Sequence, residues 1–351
     1  MKPLVLITGA SGWLGRRLAL AVAGGLPEVP ALAAPASCTL RCLVPSEADA
    51  ARVRRVVPDA ECVPGDLRDP DSLEEFTRGA EGAWLLHCAG VIHPRRVREF
   101  YAVNVEGTRA LLALAGRRGV RRFVHVSSNS PLGCNPDPTH RFDETSPYRP
   151  YGHYGRSKKL AEDLVNEAGA RGPHEVSIVR APWFYGPGQP ERQIRFFQMI
   201  EQGRMPLVGG GANLRSMVYV DNLCQGLLLC AGHAAARNQT FWVADRRPYP
   251  MREIVETVAD VLEQDFGRTV RRRWQEMPGL VSELALLADR AIQGVGLYQQ
   301  EIHVLSEMNK HIACTVAKAE RELGYAPAIE LREGMRRSIA SLLEDGGSLA
   351  A

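Results

Sequence analysis

Thr8-Gly9-Ala10-Ser11-Gly12-Trp13-Leu14-Gly15 is the most informative stretch of this 351-residue chain. It follows the apolar run Leu4–Thr8 and precedes a helical pattern over residues 13–23, so it lies where a first strand turns into a first helix. Glycine accepts positive φ at such a turn and lets the backbone approach a pyrophosphate, which then rests on the helix N-terminus. The spacing is GxxGxxG rather than GxGxxG. Alone it would be a tight turn; with a strand before it and a helix after it, it reads as a dinucleotide-binding turn.

Working outward, the first half alternates short apolar runs with helical patterns. Further runs lie at residues 39–44, 61–64, 83–88, 123–127 and 176–180, with helical stretches at 49–57, 71–77, 100–115 and 151–168. Each run is too short for a helix and is bounded by turn residues, which favours buried parallel strands. The expected fold is α/β, a Rossmann-type doubly wound parallel sheet with right-handed crossovers. After Pro182 the rhythm breaks at Gly186-Pro187-Gly188 and Gly209-Gly210-Gly211, with helices expected at 221–230, 251–266 and 331–343. Residues 1–180 are therefore read as the dinucleotide-binding domain. Residues 181–351 are read as mainly a smaller C-terminal substrate-binding lobe, interleaved with it.

Composition narrows the function. With 45% hydrophobic and 24% charged residues the chain belongs with ordinary globular proteins. The net charge of +3 is too balanced to imply nucleic acid, and the arginine clusters at 117–122 and 271–273 read as solvated rims. The eight cysteines form no CxxC pair or zinc spacing, so no metal is expected and a reducing, cytoplasmic setting is. The apolar stretches 18–36 and 281–297 are broken by Pro and Gly or by Glu283, Asp289 and Arg290, so no membrane span is expected.

Two further patterns carry chemistry. In Tyr154-Gly155-Arg156-Ser157-Lys158 the tyrosine and lysine stand four apart, on one face of a helix. A nearby ammonium and a cationic nicotinamide both favour phenolate, which lets the tyrosine exchange a proton near neutral pH. Nine tyrosines and five lysines leave about 0.1 such pairs to chance. The other pattern is Val124-His125-Val126-Ser127-Ser128-Asn129-Ser130, at the carboxyl end of a strand, where ligands bind in doubly wound folds.

Together these elements resemble the extended short-chain dehydrogenase/reductase superfamily, the NAD-dependent epimerase/dehydratase family, over nearly the whole chain. Asp66-Leu67, His87-Cys88-Ala89-Gly90, Asn104 to Thr108, Arg180-Ala181-Pro182 and Tyr185 to Gly188 also match. The resemblance implies that Tyr154 is the acid/base, that Lys158 binds the nicotinamide ribose and lowers the tyrosine pKa, and that Ser128, rather than Ser127, orients the reacting oxygen. It places Thr8, Gly9, Ser11, Gly12, Trp13, Leu14, Gly15, Cys88, Ala89, Gly90, Asn104 and Pro182 around the cofactor, with Asp66 and Leu67 flanking the adenine. The cofactor is NAD or NADP. The second strand ends Leu43-Val44-Pro45-Ser46, with no acid for a ribose 2′-hydroxyl, and Arg16 or Arg17 tilts the expectation toward NADP.

The family's reactions divide on a few positions. Related dehydratases carry Asp-Glu after the catalytic hydroxyl residue, and Asn129 and Ser130 stand there, which disfavours a dehydratase. Arg215 falls where nucleotide-sugar enzymes hold the substrate diphosphate, so Ser128, Asn129 and Arg215 are the expected substrate contacts and a nucleotide-sugar epimerase is the first expectation. Against it, a later arginine is replaced by the region of Ser306, Asn309 and Lys310. The segment 278–297 also resembles the apolar helix of 3β-hydroxysteroid dehydrogenase-type and ketoreductase members, so an oxidoreductase on a lipophilic substrate is the alternative. A non-catalytic dinucleotide-binding protein is the second alternative. The helices at 100–115 and 151–168, with Ala110, Leu111, Leu114, Leu160 and Leu164, resemble those that pair in family homodimers, so a homodimer is expected.

Overall fold

The computed structural model describes residues 2–344. Seven strands, β1 (Leu4–Thr8), β2 (Thr39–Val44), β3 (Glu61–Pro64), β4 (Trp84–His87), β5 (Arg122–Ser128), β6 (Glu175–Ala181) and β7 (Gln239–Trp242), form one parallel sheet in the order β7-β6-β5-β4-β1-β2-β3. The chain builds to one side of β1 and then to the other, so a crevice opens at the carboxyl ends of β1 and β4. Helices cover both faces, which is why the central strands read as apolar runs without alternation: Leu6, Ile7, Leu85, Leu86, Phe123 and Val124 are all buried.

The helices that matter here are α1 (Trp13–Gly24), α2 (Thr108–Arg117), α3 (His153–Arg171), α4 (Glu191–Glu201), α5 (Val220–Gly232), α6 (Met251–Gln264), α7 (Leu280–Gly294), α8 (Gln300–Glu307) and α9 (Leu331–Glu344). The single helix expected at 100–115 is instead the short helix Val97–Tyr101, a π-helical turn at Ala102–Gly107, and α2. That wider turn carries Asn104, whose buried amide ties two segments together: its Oδ1 accepts from the Val91 N–H at 2.8 Å, and its Nδ2 donates to the Val91 carbonyl at 3.0 Å and to Ser157 Oγ at 3.1 Å. Widened turns of this kind recur at functional sites.

Strand β7 had no signal strong enough to read, being four residues long with a polar start. It pairs in parallel with β6, and it and α5 both come from the second half of the chain. One apolar cluster therefore joins Ile7, Leu86 and Val124 to Leu223, Leu227, Phe241 and Tyr325. A second cluster, with Tyr185, Phe197, Tyr219, Ile254, Val258 and Met335, holds α4, α6 and α9 together.

Candidate active site

The turn after β1 has the shape its glycines suggest. Gly9 adopts φ 69°, and a Cβ there would stand 2.7 Å from the Ala89 nitrogen. At Gly15 a Cβ would lie 2.1 Å from the Gly9 carbonyl oxygen, so the helix can approach the turn only without a side chain. Gly12 caps α1 without a side-chain hydrogen bond, and no acid occupies the first turn. The opening amides of α1 thus keep their donors for an anion, a fit to the pyrophosphate of a dinucleotide. Leu14 is buried beneath the turn and Ser11 is partly exposed on it. Trp13 Nε1 donates to the Pro187 carbonyl at 2.7 Å and its ring lies 4.6 Å from Phe184, so this residue also joins the turn to the segment after buried Pro182.

Around the expected adenine end, Leu67 is buried against Gly107, and Asp66 is paired with Arg68 at 2.7 Å. The end of β2 holds neither acid nor arginine; Ser46 caps the next helix through the Asp49 N–H at 3.2 Å. Of the two arginines expected near a 2′-phosphate, Arg17 is committed elsewhere, forked onto Asp221 of α5 with one contact at 2.6 Å. Arg16 reaches only the Gly188 carbonyl, at 3.5 Å.

Parallel register sets Thr8, His87 and His125 side by side on β1, β4 and β5. Thr108 Oγ1 donates to the Asn104 carbonyl at 2.8 Å, so it accepts from His87 Nε2–H at 2.9 Å. His87 Nδ1 is then an acceptor for the Thr8 hydroxyl at 2.7 Å, and Thr8 in turn accepts from the Ala89 N–H at 3.2 Å. Burial and the Lys158 charge push the His87 pKa down to about 3, so the ring is neutral and serves as a fixed bridge. Cys88 beside it is held protonated, its thiol pushed up to about 12 by burial.

Helix α3 lays one stripe over the ends of β5 and β6, with Tyr154, Lys158 and Glu162 at successive intervals of four. Lys158 Nζ donates to the Val126 carbonyl at 2.7 Å and to His125 Nε2 at 3.1 Å. Burial lowers its pKa to about 8, against the pull of Glu162 and Cys88. Glu162, which sequence reading missed although it continues the i, i+4 series, is wholly buried. It pairs with Arg180 at 2.8 Å, and accepts from Ser127 Oγ at 2.5 Å and the Tyr148 hydroxyl at 2.6 Å. Strand alternation therefore separates the two adjacent serines. Ser127 is used up inside this network, and Ser128 is left beside Tyr154, its Oγ at 3.3 Å from both Asn129 Oδ1 and Ser130 Oγ. Burial holds the Tyr154 phenol above its ordinary pKa, while the Ser128 hydrogen bond and the Arg192 charge from the start of α4 favour phenolate.

Tyr154 is surrounded by Ser130, Tyr151, Gly152, Gly155 and His303, packed closely around its ring. Phe100 lies 5.8 Å from the Tyr154 ring and Tyr298 lies edge-on to Phe100 at 5.4 Å. Tyr151 stacks on His303, whose Nδ1 is 2.9 Å from Asp289. His303, Tyr298 and Asp289 come from the α7–α8 hairpin, which spacing alone could not bring to Tyr154. Arg215 sits at the far end of α8. Its Nη2 donates to the Glu307 carbonyl at 2.6 Å, and the Glu307 carboxylate stands 4.0 Å away. Burial pushes the Glu307 pKa up to about 7.

Comparison with known proteins follows the same lines. The chain is 50% identical over 347 residues to the uncharacterized protein y4nL of Sinorhizobium fredii, covering 99% of this chain and 97% of that one. It is 28% identical over 337 residues to the 4-hydroxy-2-methyl-3-oxo-4-farnesyl-3,4-dihydroquinoline-1-oxide ketoreductase of Stigmatella aurantiaca, covering 94% and 93%. Among solved structures, the dTDP-glucose 4,6-dehydratase DesIV of Streptomyces venezuelae, with NAD and TYD bound, superposes with a TM-score of 0.72 at 25% identity, over 97% of each chain. The profile of the NAD dependent epimerase/dehydratase family matches residues 5–244, a span that runs from β1 through the Tyr154–Lys158 stripe to β7. The glycine turn and the stripe thus lie within one continuous family match, and this chain belongs to the NAD dependent epimerase/dehydratase family of extended short-chain dehydrogenase/reductase enzymes.

Proposed function

We propose that this protein transfers hydride reversibly between a nicotinamide cofactor and a secondary alcohol or ketone on a lipophilic molecule. In reduction Tyr154 gives its proton to the carbonyl oxygen, Ser128 holds that oxygen, and Lys158 stabilises the phenolate that remains. The cofactor supplies or takes up the hydride. The residues of the glycine turn and the loop of Cys88, Ala89 and Gly90 hold it against the open end of the sheet, with Arg16 available to a 2′-phosphate of NADP.

The observation that carries the substrate class is the placement of Arg215. Its guanidinium donates through Nη2 to the end of α8, with the Glu307 carboxyl beside it, which in its ionised form would repel a diphosphate. The surroundings of Tyr154 are aromatic instead, with Tyr151 beside it and buried Phe100 and Tyr298 packed behind its ring. The Stigmatella ketoreductase, whose named substrate carries a farnesyl chain, supports the same class. A nucleotide-sugar 4-epimerase is the second reading. It is favoured by the presence of Arg215 itself and by 29% identity, over 57% of this chain and 60% of the relative, to the N-acetyl-alpha-D-glucosaminyl-diphospho-ditrans,octacis-undecaprenol 4-epimerase of Escherichia coli O157:H7. Asn129 and Ser130 lack the carboxyl groups an elimination would use, so a dehydratase remains the disfavoured reaction.

Incubation with NADH or NADPH and panels of lipophilic ketones, and with NAD or NADP and the matching alcohols, tests the proposal through cofactor absorbance. Net turnover on a lipophilic ketone or alcohol supports it. No net turnover there, together with epimerised sugar recovered from a nucleotide-sugar panel, overturns it in favour of the epimerase. We also propose a homodimer through the faces of α2 and α3. Leu111 and Leu114 are buried within the protomer, which leaves exposed Leu160 and half-buried Ala110 and Leu164 for the partner. A monomer mass by light scattering would refute that assembly.

A further inference from the structure

The α7–α8 hairpin is built inside out. The inward side of α7 carries Ser282, Asp289 and Gln293, all buried, with Asp289 accepting from Gln293 at 2.7 Å. Leu280, Leu284 and Leu287, spaced i, i+4, i+7 along the opposite side, are 65%, 58% and 61% exposed. Val295, Leu297 and Val304 extend that surface onto the connection and α8. Ile92 joins it from the loop that bridges Arg96 to Leu297. An ordinary surface helix has the reverse pattern, and a concentration of exposed apolar side chains on one hairpin marks a surface that something covers.

The charges around the patch say what covers it. Arg95, Arg96 and Arg290 are exposed at its rim and make no side-chain hydrogen bond or ion pair among the described residues. Of the hairpin's acids, Asp289 is turned inward, Glu307 lies beside Arg215 and exposed Glu283 is neutralised by Lys310, which leaves Glu301 as the exposed acid with no ion pair among the described residues. The rim is therefore cationic. A second copy set against this face would bring like charges together. An anionic lipid surface would receive the leucines between its acyl chains and the arginines among its headgroups.

We propose that the outer face of the α7–α8 hairpin docks this protein onto the surface of a bilayer containing anionic lipid, without crossing it. No helix of the described residues is long and apolar enough to cross a membrane, and surface attachment requires none. The inner face of the same hairpin carries His303 beside Tyr154, so the docked surface and the site share one hairpin. The docking itself stands apart from the substrate reading, because it is measured without substrate.

The test is co-sedimentation of the full-length protein with vesicles of phosphatidylcholine, with and without phosphatidylserine. Binding should require phosphatidylserine and weaken as salt is raised. Leu284→Asp combined with Leu287→Asp should reduce it at least tenfold (roughly), while the melting temperature and cofactor binding stay at wild-type values, because both side chains are already in solvent. Each of Arg95→Gln, Arg96→Gln and Arg290→Gln should cost about fivefold on the anionic vesicles. Absence of wild-type binding, or binding that the double aspartate variant retains, would overturn the proposal. So would a wild-type dimer that the double variant splits with no vesicle binding by either, which would assign the face to a second copy.

Discussion

Consider the replacement of His125 by valine. Lys158 has two protein acceptors, the Val126 carbonyl at 2.7 Å and His125 Nε2 at 3.1 Å. Valine removes the second and leaves a buried ammonium N–H without a partner. A hydrogen bond to a charged group contributes about 1.5–3 kcal/mol. Since one pKa unit corresponds to about 1.4 kcal/mol, the Lys158 pKa should fall by roughly 1–2 units, from its wild-type value of about 8. The ammonium would then be partly lost at neutral pH, and with it the charge proposed above to stabilise the Tyr154 phenolate. His125→Gln, which keeps a carbonyl acceptor, should recover part of the shift. The sequence makes the assay direct, because only five lysines occur. Titration of the lysine ε-carbon resonances in wild type and in both variants reads Lys158 without any substrate. The stability difference has a definite sign. The folded pKa lies below the unfolded one, so burying Lys158 costs stability at low pH, and that cost fades as pH rises from about 8 toward 10.5. His125→Val should therefore be more destabilised at pH 6 than at pH 10 (roughly), since only the charged form needs the lost acceptor strongly. An unchanged or raised Lys158 pKa in His125→Val would refute the reasoning.

Tyr154→Phe should lose about 10²–10⁴-fold in turnover with cofactor affinity nearly unchanged, since the phenol supplies a proton and little binding energy; stopped-flow turnover and cofactor titration check both halves. Gly15→Ala places a Cβ 2.1 Å from the Gly9 oxygen, so the turn must open and dinucleotide affinity should fall at least tenfold (roughly) by fluorescence titration, one misplaced amide being enough. Glu162→Ala strands Arg180 in the core and should cost about 3–5 kcal/mol in denaturant unfolding, whereas Ser127→Ala removes one donor from the same carboxylate and should cost about 1.5–3 kcal/mol. Glu307→Gln should leave the KM for a lipophilic ketone unchanged within a few-fold. Were the substrate a diphosphate on Arg215, removing that carboxyl would instead tighten it, and more so above pH 7, where the carboxyl is ionised and repels the phosphates.

Much of the architecture was legible because local signals and the global fold agree. Runs such as Leu4–Thr8 and Thr39–Val44 are buried on both faces, so composition alone marks them as parallel strands, and the glycines of the first turn occupy positions a Cβ would fill. The Tyr154–Lys158 pair was legible for the same reason: helical periodicity is local, and four residues always return to the same face. Glu162 lay one step further along that series, but nothing local says that a carboxylate in a helix will find Arg180 and Ser127 on two neighbouring strands. The π-helical turn at Ala102–Gly107 was hidden similarly, because the pull of Asn104 on Val91 and Ser157 comes from outside the helix.

Periodicity and turn chemistry act over a few residues, and those features the amino-acid order specifies unaided: the first six strands of the sheet, the first turn and the spacing of the tyrosine and lysine. Long-range packing assigned the rest. It turned Ser127 into the core and left Ser128 beside Tyr154, tied Arg17 to Asp221, and set Arg215 Nη2 against the Glu307 carbonyl at the end of α8. It also faced α7 with its polar side inward and its leucines out. A side chain's partner depends on which distant segment arrives beside it, and the register of β4, β5 and β6 and the seating of the α7–α8 hairpin bring segments together that no spacing along the chain connects.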